Sequence, residues 1–182
     1  MEVSVTQTGV GSERDRRRCD WANKDPLLRR YHDEEWGVPV EDDRAFFERM
    51  ILEMFQAGLN WRLILHKREA FRRAFSGFSI SRVASFGAQD IERLLNDKSI
   101  VRNRRKIESA IENARVFSKI IETYASFKNY LSQFDHRDEE GLLKEFRRRF
   151  RFMGPTITES FLQSVGKIPA PHDPGCWKNE VR

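Results

Sequence analysis

The sequence predicts an all-α fold, a compact domain made of many short helices. Apolar residues recur at steps of three and four along most of the 182-residue chain, which is the spacing of one helix face. Period-two alternation, typical of half-buried strands, is scarce, and there is no internal repeat or low-complexity tract. The length fits one compact domain or two small lobes that share a cleft, and we assign residues 16–182 to a single helical domain.

Residues 1–15 precede that domain. They are rich in Ser, Thr, Gly and charged residues and contain few large apolar groups. Because such a segment cannot bury enough surface to offset the entropy of ordering, we predict a disordered leader.

The first strong helical pattern begins at Asp42 or Asp43, either of which can cap a helix, and Gly58 can end it. Its apolar stripe comprises Phe46, Phe47, Met50, Ile51 and Met54. Further helices are predicted over 68–75, in a short segment that starts at Ser79, and over 89–96, 103–124, 142–146 and 157–165. We expect some eight short helices in all, and 103–124 is the longest of the segments named.

The charge balance favours a polyanionic partner. Lys and Arg number 33 against 28 Asp and Glu, a formal net charge of +5. Basic residues cluster at 16–18, 102–106 and 147–151, although such runs are often only solvated helix faces. No apolar run approaches the ~20 residues of a membrane span and nothing resembles a signal peptide, so we expect a soluble, cytoplasmic protein.

The two cysteines lie near opposite ends of the chain, and each is close to a histidine. Cys19 precedes His32, and Cys176 follows His172. Two thiolates and two imidazoles are the donors of a tetrahedral structural Zn²⁺ site, which would join the N-terminal and C-terminal segments. Two unrelated buried thiols are the main alternative. A Cys19–Cys176 disulfide is disfavoured in a cysteine-poor chain without a signal peptide, and a catalytic zinc is disfavoured because four protein ligands leave no open position.

Glu53 is chemically unusual within the first helical pattern. Phe46, Met50, Glu53 and Ala57 fall at i, i+4, i+7 and i+11, which places the carboxylate on or beside the buried face. A carboxylate there is costly unless a polar or cationic group meets it. The alternative is a glutamate at the edge of the stripe that reaches water or pairs with an arginine.

Aromatic residues cluster near this position in the sequence. The helix breaks at Gly58 and Trp61 follows closely, while Trp21, Tyr31 and Trp36 lie upstream. Aromatic faces and a carboxylate both favour a cation, so the set is suited to stacking a flat, positively charged heterocycle. Ordinary core packing is the alternative for each ring.

A glycine-containing turn, 150–156, joins the last two predicted helices. Gly154 lies there beside an arginine cluster and a helix N-terminus, where backbone N–H groups can contact a phosphate without reading sequence. An ordinary helix connection is the alternative.

Six blocks of sequence form a combined signature that runs in order between Cys19 and Cys176. They are Asp25-Pro26-Leu27, Tyr31-His32-Asp33-Glu34-Glu35-Trp36-Gly37-Val38-Pro39, Gln56-Ala57-Gly58-Leu59-Asn60-Trp61, Lys67-Arg68-Glu69, Phe152-Met153-Gly154-Pro155-Thr156 and Ser160-Phe161-Leu162-Gln163. Together they resemble the 3-methyladenine DNA glycosylase I family of the helix-hairpin-helix superfamily. The first three blocks are specific in combination.

The resemblance implies a monofunctional DNA-repair enzyme. Its expected partner is double-stranded DNA containing alkylated bases, from which it turns out 3-methyladenine and hydrolyses the N-glycosidic bond. It implies Glu53 as the catalytic pocket carboxylate, Trp61 and Tyr31 as base-stacking residues with Trp21 close by, and Leu59 as the residue that enters the base stack.

The resemblance also implies the DNA-binding and metal-binding residues. The family's hairpin matches 152–156, so we expect Gly154, Arg149 and Arg151 to contact DNA. A structural zinc matches Cys19, His32, His172 and Cys176. The family further implies a monomer that works with the nucleoid of a bacterium.

The sequence departs from the family pattern at several places. Met54 and Asn60 stand where Gly and Ser are usual, and the segment between Phe134 and Leu142 is shorter than is typical. The alternative function is therefore a non-catalytic, zinc-stabilised helical module of the same fold that binds DNA or a lesion.

Overall fold

A computed structural model describes residues 16–135 and 137–179. These two ranges contain ten α-helices and no β-strand, so the all-α prediction is confirmed for them. The helices are, in chain order, α1 (Pro26–Glu34), α2 (Asp43–Gln56), α3 (Trp61–His66), α4 (Arg68–Ala74), α5 (Ile80–Ala84), α6 (Ala88–Asn96), α7 (Arg104–Tyr124), α8 (Phe127–Ser132), α9 (Glu139–Arg149) and α10 (Pro155–Ser164). Short 3₁₀ turns are formed by Asp20–Lys24, Ser76–Phe78 and Trp177–Asn179. The predicted leader, 1–15, lies outside the described residues.

Six helices begin at a side chain that accepts a backbone N–H of the first turn. For α1, α2, α3, α7, α8 and α9 the capping residues are Asp25, Asp42, Asn60, Asn103, Ser126 and Asp138. Each cap of this kind contributes ~1 kcal/mol. Asp43 instead accepts the Phe127 N–H at 2.7 Å, which ties the start of α2 to the start of α8.

Periodicity predicted the longer helices well and missed three short ones. α1, α3 and α8 have 9, 6 and 6 residues. Length alone does not separate them from α5 and α6, which have 5 and 9 residues and were predicted from Ser79 and from the stripe of Ile91, Leu94 and Leu95. α9 extends beyond the predicted 142–146 at both ends. Its first turn carries acidic residues and its last turn carries arginines, and both complement the helix macrodipole.

α2 is the central helix of the main core. Every residue from 46 to 55 is buried, and α3, α7, α8 and α10 pack against it. Phe117 of α7 stacks on Phe127 with 4.1 Å between ring centroids and meets Phe47 at 5.3 Å. Because this part of α2 is buried on all sides, Glu53 lies inside the protein rather than at a solvent-exposed rim of the stripe.

A smaller aromatic cluster lies beside the main core, where the two ends of the described chain meet. Its buried residues are Leu28, Tyr31 and Leu65, with Trp21, Trp36 and Trp61 packed against them. The Trp177 N–H donates to the Arg17 carbonyl at 2.9 Å, and the Asp20 N–H donates to the Asp173 carboxylate at 2.8 Å. No helix within the two described ranges is both long and apolar enough to cross a membrane.

Candidate functional site

A cavity of about 450 Å³ opens beside the small aromatic cluster. It is formed by the first 3₁₀ turn, α1, the end of α2, the start of α3 and α10. The residues that line it are Trp21, Lys24, Leu28, Tyr31, Trp36, Glu53, Gln56, Asn60, Trp61, Arg62, Ser160 and Gln163. The structure therefore brings together the four residues singled out from the sequence, Glu53, Trp61, Tyr31 and Trp21.

Glu53 reaches the cavity from the last turn of α2 and is 6% exposed. Burial raises the pKa of its carboxyl to about 8, while the positive charge of Arg49, one turn earlier, acts in the opposite direction. Raised carboxyl pKa values are typical of functional sites, because burial there keeps a carboxyl protonated at a pH at which it would be ionised in water.

The aromatic residues form the walls around this carboxyl. The rings of Tyr31 and Trp61 lie 5.0 Å apart between centroids, and Trp21 meets Trp36 edge to face at 5.1 Å. The Tyr31 hydroxyl and the Trp61 indole nitrogen are buried without a hydrogen-bond partner in the described chain. Because a buried donor without a partner is costly, these atoms indicate a place where a ligand supplies acceptors.

The turn between α2 and α3 sets the position of Trp61. Gly58 has a positive φ of 81°, a conformation that favours glycine, and it reverses the chain after α2. The Asn60 side chain accepts the Leu63 N–H at 2.8 Å and so begins α3 at Trp61. Leu59, in this turn, is 39% exposed and lies next to Asn60, which lines the cavity.

The glycine-containing turn between α9 and α10 is held by one buried asparagine. Asn113 of α7 accepts the Arg151 N–H at 2.7 Å and donates to the Arg151 carbonyl at 3.0 Å. Phe152 follows with a positive φ of 59°, and Gly154 precedes α10, whose first residue is Pro155. The first-turn N–H groups of α10 have no intrahelical acceptor and can therefore bind an anion.

The two arginines singled out near this turn have different surroundings. Arg149 donates to the Glu145 carboxylate at 2.5 Å and lies 5.3 Å from the centroid of the Tyr130 ring. Arg151 has an exposed side chain. Arg149 is therefore engaged within the protein, whereas Arg151 is better placed for an external anion.

The Cys and His residues converge where the two ends of the described chain meet. One ligand atom from each of Cys19, His32, His172 and Cys176 lies within 4.8 Å of all the others, and these four residues could hold a metal ion. Cys19 Sγ is 3.5 Å from His172 Nδ1, and Cys176 Sγ is 3.4 Å from His32 Nε2. Both cysteines are free thiols, so no disulfide joins them.

The surroundings of His32 suit a ligand. Its Nδ1 lies 2.8 Å from the Asp33 carboxylate, which directs Nε2 toward the cluster, and Arg18 holds Asp33 from the other side at 2.8 Å. Burial lowers the pKa of the imidazole, although Asp33 opposes this shift, and the neutral form is the one that coordinates a metal.

Sequence reasoning missed two buried polar residues of α7. Asn113 anchors Arg151, and Lys106 donates to the carbonyls of Ala57 at 2.6 Å and Phe55 at 3.0 Å, which fixes the end of α2. A usable signal was present, because both residues interrupt the apolar face that carries Ile107 and Ala114.

Comparison with known proteins gives the family of this chain. The family model described as methyladenine glycosylase matches residues 21–147. The chain belongs to the methyladenine glycosylase family. DNA-3-methyladenine glycosylase 1 of Escherichia coli strain K12 is 36% identical over 178 residues, covering 87% of this chain and 95% of the relative. The Haemophilus influenzae DNA-3-methyladenine glycosylase is 31% identical over 170 residues, covering 83% of this chain and 92% of its own length.

Solved methyladenine glycosylase structures share the fold. A crystal structure of 3-methyladenine DNA glycosylase I superposes with a TM-score of 0.80 at 37% identity, covering 88% of this chain and 98% of that one. A variant of such an enzyme in complex with 3-methyladenine gives a TM-score of 0.76 at 34% identity, covering 87% of this chain and 97% of that one. The 3-methyladenine DNA glycosylase I from Staphylococcus aureus gives a TM-score of 0.75 at 34% identity, covering 84% of this chain and 92% of that one.

Proposed function

We propose that this protein is a DNA-3-methyladenine glycosylase that acts in base-excision repair of alkylated DNA. The observation that carries the proposal is the cavity, in which a buried carboxyl and several aromatic rings face one space in a member of this family. The space of about 450 Å³ is large enough to admit a purine.

The chemistry of the lesion explains why so few polar groups are needed. Methylation at N3 makes the base of the nucleotide cationic, so the base leaves as a neutral molecule when it takes the electron pair of the N-glycosidic bond. Water supplies the hydroxyl group at the sugar carbon and loses a proton to the solvent. The protein need not protonate the leaving base, and selection can rest on the shape and charge of the cavity.

Glu53 and the rings would divide this selection between them. Stacking on Trp61 and Tyr31 binds any flat base, whereas a carboxylate favours the cationic one over normal adenine. A cation that enters the cavity lowers the pKa of Glu53 and draws the carboxyl into its ionised form. Trp21 and Trp36 would close the remaining side.

Contacts with DNA would come from the two turns. Leu59 is an exposed apolar side chain next to the cavity, as is needed to fill the gap that an extruded nucleotide leaves in the stack. In the manner of a helix-hairpin-helix element, Gly154 and the start of α10 would offer backbone N–H groups to a phosphate, with Arg151 beside them.

The Cys19, His32, His172 and Cys176 cluster would hold a structural Zn²⁺. Two sulfur and two nitrogen donors that already converge match the preference of this metal. A bound ion would cross-link the N-terminal and C-terminal segments behind Trp21 and Trp36, whose rings contact the cluster's histidines and line the cavity. Metal analysis of the native protein should find one zinc per chain, and its absence would refute this assignment.

The deciding experiment incubates the purified protein with methylated duplex DNA and identifies the released bases by chromatography. We expect 3-methyladenine in the soluble fraction and abasic sites without strand cleavage. If the protein binds methylated duplex and releases no base, the non-catalytic lesion-binding module replaces the enzyme.

A further inference from the structure

An arginine is buried behind the aromatic wall of the cavity. Arg49 of α2 is 6% exposed, lies one turn before Glu53 and does not itself line the cavity. Its guanidinium carbon is 5.0 Å from the centroid of the Tyr31 ring, a cation–π distance. Its Nη2 donates to Glu35 at 2.6 Å, while its Nη1 is buried without a hydrogen-bond partner in the described chain.

Arg49 is the inner end of a row of alternating charges that links the residue after α1 to α2 and α4. The successive members are Arg49, Glu35, Arg68, Glu48, Arg72 and Glu69. The distances between neighbouring members run from 2.6 to 3.0 Å, and the outer Glu69 side chain is 68% exposed. A row of this kind holds the Arg49 guanidinium in one place, because the two inner carboxylates, Glu35 and Glu48, are each shared by two arginines.

Few other charges can act on Glu53. Lys24 of the first 3₁₀ turn and Arg62 of α3 line the cavity, but Arg62 is 2.8 Å from its partner Asp25. From α10 the cavity receives only the uncharged Ser160 and Gln163. α1 contributes Tyr31 to the cavity wall. Burial raises the pKa of this phenol above its usual range, so Tyr31 is neutral. The attraction that opposes burial in setting the pKa of Glu53 comes from Arg49.

We propose that Arg49 is a positioning residue for base recognition: it braces the Tyr31 ring from behind and supplies the buried positive charge that lets the Glu53 carboxyl ionise when a cationic base enters. This inference rests on the proposed function for the identity of the base. The Tyr31 ring and Glu35 shield the guanidinium, so the base meets the anion of Glu53 and not the cation behind it.

The test compares Arg49→Met with Arg49→Lys, which keeps the charge, and with Arg44→Met, which removes an exposed arginine from the same helix. Carbon-13 NMR of labelled glutamate carboxyls, assigned with Glu53→Gln, follows the titration of Glu53 directly. We expect Arg49→Met to move this titration to higher pH, Arg49→Lys to restore most of the shift, and Arg44→Met to match the parent. A parental titration in Arg49→Met would overturn the proposal.

The excision rate on methylated DNA gives the second readout. Below the pKa of Glu53, the rate in Arg49→Met should fall about tenfold for each pKa unit that Glu53 moves, and it should approach the parental rate in alkaline buffer. A purely structural defect would lower the rate equally at every pH, and that result would count against Arg49.

A third variant covers the case in which Arg49→Met does not fold. Glu35→Gln keeps an amide oxygen that can still accept from Arg49 Nη2 but removes the negative charge beside it, so Glu53 should titrate at lower pH than in the parent. An unchanged or higher titration in this variant would refute the inference. If the parent releases no 3-methyladenine the proposed function fails, while the titrations still decide the part played by Arg49.

Discussion

Aromatic rings fill two regions of this protein in different ways. Around α2 and α7, the rings of Phe47, Phe117 and Phe127 are fully buried against one another and carry no polar atoms. Around the cavity, Tyr31 and Trp61 each bury a polar atom without a partner. Each such atom costs about 1–3 kcal/mol, so the second region gives up stability that the first retains. We conclude that the phenylalanine core maintains the fold and the cavity wall is shaped for a ligand.

The largest effect on stability should come from the phenylalanine core. Phe117→Ala removes a ring packed on all sides, and we expect the free energy of unfolding to fall by ~3–5 kcal/mol. Denaturant titration measures this loss. If Trp61→Ala, a truncation in the cavity wall, lowers the free energy of unfolding more than Phe117→Ala does, the conclusion that the phenylalanine core maintains the fold is wrong.

Glu53→Gln should change stability in the opposite direction. In the unfolded chain this carboxyl ionises near its ordinary pKa of 4.5, whereas in the folded protein burial raises its pKa to about 8. Between these values only the folded state keeps the proton. The contribution of this carboxyl to the free energy of unfolding is therefore fully present below pH 4.5, declines as the pH rises to about 8, and stays lost at higher pH.

Glutamine carries no such ionisation, so at pH 8 the variant should be more stable than the parent by up to about 4 kcal/mol, with little difference at pH 4. Unfolding curves at both pH values measure the change. Excision of 3-methyladenine should fall at the same time, as expected where a functional group is retained at the expense of stability. If the stability difference between Glu53→Gln and the parent is the same at both pH values, burial does not raise the pKa of this carboxyl.

Trp61→Ala should act on the ligand more than on the fold. Loss of one stacking face should weaken binding of 3-methyladenine by ~1–3 kcal/mol, measured by calorimetry. Tyr124→Ala, at a half-buried ring remote from the cavity, serves as the control and should bind as the parent does. Unchanged affinity in Trp61→Ala would remove this ring from the binding site.

The smallest effect concerns the arginines near the α9–α10 turn. Arg151→Gln should lower the slope of log affinity against log salt for undamaged duplex by about 0.9, the value for one phosphate contact. Arg149→Gln should change the slope less, because Glu145 and Tyr130 already engage its guanidinium. Equal slopes in the parent and Arg151→Gln would place the phosphate contact elsewhere.

The sequence predicted the long helices and the composition of the candidate site, but not the supports of that site. α2 and α7 are long enough for their apolar period to be read directly, and Cys19 and Cys176 stand out because the chain has no other cysteine. Arg49 could not be recognised in this way, because its role depends on Tyr31 of α1 and on Glu35 directly after that helix. Burial of α2 on every side is also a tertiary property, since periodicity within one helix reports only its most apolar face.

The junction of the chain ends affects how the protein opens. In many domains the terminal segments fray first and independently, and they are the sites where proteolysis begins. Here the backbone at Trp177 is hydrogen-bonded to that at Arg17, and side chains from both segments share the Cys and His cluster. Either segment can detach only by releasing the other, so the two loosen together. Within the described residues, we therefore expect local opening to begin in a surface loop rather than at this paired junction.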